Sequence, residues 1–138
     1  MKYICRLGIC FLFLIFLGCG EKNSLQSYLA LGDSYTIGES VSEFERWPVQ
    51  LVASLAEENV FLNSPEIIAK TGWTTDELQE GINQAPLNYP YDWVSLLIGV
   101  NNQYRGKSIK EFENEKNRDT ESVTIRRSLH MIYWVLFR

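Results

Sequence analysis

As a pattern of apolar and polar positions, residues 28–112 divide into three short apolar runs separated by amphipathic stretches. "YLALGDS" (residues 28–34) is apolar until it stops at Gly32 and Asp33, and its brevity predicts a strand. In "RWPVQLVASLAEEN" the residues Trp47, Leu51, Val52 and Leu55 recur at helical spacing, and Pro48 suits a first turn, where its missing N–H would have had no partner. "PEIIAKTG" (65–72) predicts a second strand, and "TTDELQEGI" a helix with Thr or Asp as cap and acidic residues in its first turn. "YDWVSLLIGVNN" (91–102) is the third and most apolar run. "SIKEFENEKNRD" then predicts an exposed helix, opened by Ser108 with Glu111 three residues on as a capping box.

Strand and helix in strict alternation imply right-handed crossovers and a parallel sheet with both faces covered, an α/β fold. Such sheets place ligands beyond the carboxyl ends of their strands. The clusters "GDS", "TGW" and "GVNN" stand at those three ends, so they are expected to converge on one crevice. A serine hydroxyl needs a base to become a nucleophile, and the tetrahedral intermediate it forms needs donors aimed at its oxyanion. Ser34 can offer its hydroxyl and its own N–H, Gly72 an N–H that no side chain obstructs, and Asn101 or Asn102 a side-chain amide. The plainer readings are a turn or cap hydroxyl for Ser34, a strand-end glycine for Gly72, a simple turn at 101–102, and core packing for Trp73.

Taken together and in this order, "GDSYTIG", "TGWTT" and "GVNN" resemble the first three blocks of the SGNH (GDSL-type) hydrolase family, over residues 28–112. The resemblance implies a three-layer α/β/α fold of flavodoxin-like type and the activity of a serine esterase or acyl hydrolase. It implies Ser34 as nucleophile and first oxyanion donor, Gly72 as second donor, Asn101 as third, and Asp33 as a structural residue of the turn. The family's third block usually carries Asp after the Asn, where this chain has Asn102. Asn102, Tyr104 and Trp73 are candidate substrate-binding residues, with Arg105 a candidate for the pocket wall.

The amino-terminal stretch reads differently. Lys2 and Arg6 precede an unbroken apolar run over 9–17 that closes on "GCG", the pattern of an export signal and about half the length a spanning helix needs. "FLGC" resembles the lipobox of bacterial lipoproteins, with Phe16 in place of the usual Leu; the resemblance implies acylation of Cys19 and a membrane anchor in the bacterial envelope. Residues 1–19 are thus read as signal, 20–27 as tether, 28–112 as the partial hydrolase domain and 113–138 as a divergent tail. Cys5 and Cys10 lie inside the signal, so Cys19 alone remains and no disulfide framework is expected. Removing Lys2 and Arg6 takes the formal charge from −4 to −6, which argues against a nucleic-acid partner. No metal or other cofactor is expected, given one histidine and scattered carboxylates.

The family's Asp and His, three residues apart near the domain's end, have no recognisable counterpart. The sole histidine, His130, has Arg127 three residues before it and an apolar run around it, so it is a poor candidate for the base. The 26 residues from Glu113 onward are too few for two further βα units, and they read as a foreign frame or premature end in place of the catalytic C-terminal part. Two functions follow. One is an anchored esterase acting on small esters, acylated glycans or lipids; the other is a non-catalytic envelope lipoprotein with a binding or interaction role.

Overall fold

The computed structural model describes residues 24–88, 90–108, 110–114 and 130–135; the leader, Cys19 and most of the tail lie outside them. The elements are β1 (Tyr28–Gly32), α1 (Ser34–Ile37), a 3-10 turn (Glu43–Glu45), α2 (Trp47–Glu57), β2 (Glu66–Ala69), α3 (Thr75–Gln84), β3 (Trp93–Ile98), α4 (Val100–Tyr104) and β4 (His130–Val135). The four strands form one sheet in the order β2-β1-β3-β4, every neighbouring pair parallel. From β1 the chain moves outward to β2 and then crosses to β3 on the other side. The direction of winding reverses at β1, so a crevice opens at its carboxyl end.

Alternation along β1 divides the core between two faces. Leu29 and Leu31 pack with Val94, Leu96 and Ile98 of β3 and with Leu78 and Ile82 of α3. Tyr28 and Ala30 turn the other way, to Leu51, Val52 and Leu55 of α2. The helices therefore cover opposite faces, which is the expected three-layer α/β/α arrangement. On the α2 side the Tyr28 hydroxyl meets Ser95 Oγ at 2.8 Å, and burial pushes its pKa up to about 12.

The predicted helix starts are present. Pro48 lies in the first turn of α2, and Thr74 and Glu77 form a reciprocal capping box on α3. Ser108 Oγ accepts from the Glu111 N–H at 3.1 Å at the start of the helical residues 110–114.

Two short helices were not anticipated. α1 begins directly after Asp33, turning back onto the sheet because position 32 has no side chain: a Cβ there would lie 2.2 Å from Thr36 Oγ1 and 2.3 Å from the Leu97 carbonyl. α4 begins after Gly99, whose φ of +124° ends β3, so "VNN" is helical rather than an extension of the strand. The sheet also extends beyond the three expected strands. Residues 130–135 pair with β3 along its whole length, so β3 is internal and, among the described residues, the sheet's edges are β2 and β4.

Candidate active site

Ser34 is the first residue of α1, and Asp33 is its cap: the Asp33 carboxylate accepts the Tyr35 N–H at 3.1 Å. The neighbouring carboxylate thus does the capping that the plainer reading assigned to the serine. Among the described residues neither the hydroxyl nor the N–H of Ser34 makes a hydrogen bond. Asp33 is 1% exposed, and burial raises its pKa against the lowering effect of the backbone N–H groups it accepts.

Gly72 lies in a tight turn closed by the Trp73 N–H on the Lys70 carbonyl at 3.2 Å. Its φ is +82° while Thr71 keeps a negative φ, which makes this a type II turn with glycine at the position that demands it. In such a turn the central peptide is flipped relative to type I, so the direction of the Gly72 N–H depends on that φ. The N–H has no acceptor among the described residues.

Asn101 connects these two segments. Its side-chain amide donates to the Trp73 carbonyl at 2.9 Å and, through a long contact of 3.4 Å, to the second oxygen of Asp33. One amide nitrogen therefore touches the residue before Ser34 and the residue after Gly72. The three strand ends do converge. Asn102, one residue and about 100° further round α4, turns into the interior. It is fully buried, accepts the Thr75 N–H at 3.1 Å and donates to Thr75 Oγ1 at 2.6 Å. Its expected contact with substrate is replaced by the docking of α4 on α3.

A groove of about 520 Å³ opens beside Ser34, with Tyr35, Glu39, Arg46, Trp47 and Thr71 among its walls, and Glu39 accepts from the Thr71 hydroxyl across it. Arg46 was not singled out in the sequence, and Trp47 was read only as part of an apolar helical stripe; both reach the groove because α2 starts beside α1. Trp73, a candidate for the site, instead lays its ring against Gly81, where a Cβ would meet it at 2.3 Å, and only its carbonyl serves the crevice. Tyr104 is 88% exposed and borders a separate depression with Val100 and Gln103. Arg105 is bonded to the Gly72 carbonyl at 2.8 Å and to Glu77 at 3.0 Å, a clamp rather than a pocket wall.

His130 is not brought to the crevice. Its Cα pairs with Trp93 at the start of β3, and Trp93 pairs in turn with Tyr28 at the start of β1, so it stands at the end of the sheet opposite Ser34. Among the described residues no group of three or more His, Cys, Asp or Glu could hold a metal ion, and no helix is long and apolar enough to cross a membrane.

The profile of the GDSL-like Lipase/Acylhydrolase family matches residues 30–132, past Phe112 and into β4. No curated protein matches the chain. Among solved structures it is similar to AlinE4, an SGNH-hydrolase family esterase (22% identity, TM-score 0.65, 80% of this chain and 58% of that one). It is also similar to the psychrotrophic esterase EstA from Pseudoalteromonas sp. (15% identity, TM-score 0.65, 80% and 61%), and to TesA (17%, TM-score 0.63, 71% and 54%). The chain thus spans under two thirds of the length of these structures, and at such identities they attest the fold. With the family profile covering most of its residues, the chain belongs to the GDSL-like (SGNH) lipase/acylhydrolase family.

Proposed function

We propose that the chain is a serine ester hydrolase in which Ser34 attacks the carbonyl carbon of a carboxylic ester. The carbonyl oxygen, gaining negative charge, would be received by the N–H groups of Ser34 and Gly72 and by the Asn101 amide, whose long contact to Asp33 is the one it can most easily surrender. Collapse of the tetrahedral species would expel the alcohol and leave an acyl group on Ser34 Oγ, and water would then release the acid. The Ser34 proton has to travel to a base and on to the leaving alcohol. The observation that carries the proposal is the Asn101 amide bonded to the residues adjoining both Ser34 and Gly72.

Small acyl esters, acylated glycans and lipids are the proposed substrates. We further propose that residues 1–19 direct export and that Cys19 is acylated, tethering the body to an envelope membrane by acyl chains whose burial contributes about 0.8 kcal/mol per methylene. An intact mass showing a chain that starts at Cys19 and carries acyl groups would bear this out; a chain cleaved elsewhere and unmodified would refute it. One observation favours a second, non-catalytic lipoprotein reading: no described side chain hydrogen-bonds the Ser34 hydroxyl as a base would. Prolonged incubation with excess fluorophosphonate decides between them. Covalent labelling of the peptide bearing Ser34 supports the hydrolase, and a chain left unlabelled supports the binding role.

A further inference from the structure

We infer that Arg105 is a positioning residue for the oxyanion site, fixing the Gly72 turn at a set distance from Asn101; the inference rests on the hydrolase reading above. Gly72 has little else to hold it. Among the described residues a Cβ built there would meet nothing within 4 Å except Arg105 Nη2, at 3.8 Å, so their side chains do not pack the turn in place. What seizes it is the guanidinium, which donates one N–H to the Gly72 carbonyl at 2.8 Å and another to Glu77 Oε1 at 3.0 Å. The other oxygen of Glu77 accepts the Thr74 N–H at 2.9 Å, so the fork ties the turn to the cap of the helix that follows it.

The same residue is rigidly related to the third donor. The Arg105 backbone N–H donates to the Asn101 carbonyl at 2.9 Å, one helical turn along α4. Asn101 and Arg105 therefore leave one short helix and grip the same segment at two consecutive carbonyls, those of Trp73 and Gly72. An ordinary exposed ion pair contributes little and would tolerate Lys in place of Arg. A planar fork serving two acceptors at once would not, because an ammonium lacks its geometry.

Arg105→Lys and Arg105→Met test this in the full chain, with Lys107→Met as comparator, since Lys107 pairs with Asp76 on the same segment but beyond the turn. Both Arg105 variants are expected to shift the Gly72 amide resonance and to speed hydrogen exchange of the Trp73 N–H that closes the turn. They are also expected to lower kcat on an aryl acetate about tenfold, the loss of one charge-assisted hydrogen bond, with KM within about twofold. Lys107→Met is expected to reduce stability while leaving the Gly72 resonance and kcat where they were. The inference is overturned if Arg105→Lys leaves the Gly72 resonance unmoved, or if Lys107→Met reproduces the Arg105 effects, which would make the clamp general scaffolding. An unmodified chain that neither turns over nor takes up fluorophosphonate removes the hydrolase reading alone, because the Gly72 resonance still reports on the clamp.

Discussion

Asn101 and Asn102 are adjacent and chemically identical, yet one lies on the crevice and the other is locked under α3 at 0% exposure. Replacing Asn101 by Ala should lower kcat on an aryl ester by about 10²–10³, the usual cost of one oxyanion donor, with KM little changed. An unchanged kcat would remove Asn101 from the hole. Asp33 supplies a test in pH. Burial holds its folded pKa above the ordinary 3.8, so the stability it contributes is complete in acid and is lost as pH rises through the folded value. Asp33→Asn retains an acceptor for the Tyr35 N–H without a charge to bury. Urea unfolding should therefore show the variant gaining on the natural chain from about pH 4 upward and converging with it in acid; a gap independent of pH would contradict the burial argument. At this scale the residue types of the site were legible, since few side chains do what Ser34, Gly72 and Asn101 are asked to do. Which hydroxyl or carboxylate caps α1 was not, because Asp33 and Ser34 are equally good caps until the backbone path is known.

α2 and α3 were legible because one-sided burial imposes a helical period, and the first three strands because each is a short apolar run that ends at a glycine or polar cluster. α1 and α4, at four and five residues, are shorter than any period that could announce them. They exist because Gly32 admits a close approach and Gly99 a positive φ. The capping box of α3 carries a stability prediction: Thr74→Ala should cost about 1 kcal/mol in urea unfolding, and no loss would mean the cap is idle. Asp76, in the same first turn, titrates with the sign opposite to Asp33. Burial works against its charge, but hydrogen bonds from Lys107 and Thr74 and the charge of Lys107 outweigh it and bring the pKa to about 2. Its contribution is present above the ordinary 3.8 and disappears as the pH falls toward 2, and its half-exposed side chain keeps the effect small. Asp76→Asn should flatten that acid limb.

For the whole molecule, strand order and register come from contacts between residues far apart in sequence, which no local window contains. That is why a run such as "HMIYWV" could be read only as part of a tail, whereas it forms β4 against β3. The same register places the sole histidine at the far end of the sheet from Ser34, so His130→Ala should leave ester hydrolysis unchanged; a loss of activity would require a different register. The central claim is that Ser34, Gly72 and Asn101 form one oxyanion site. Its most direct measurement is a crystal structure of the fluorophosphonate adduct. Phosphorus is expected on Ser34 Oγ, with the phosphonyl oxygen about 2.7–3.1 Å from the N–H groups of Ser34 and Gly72 and from Asn101 Nδ2. A phosphonyl oxygen turned to solvent, or phosphorus on another residue, would contradict it.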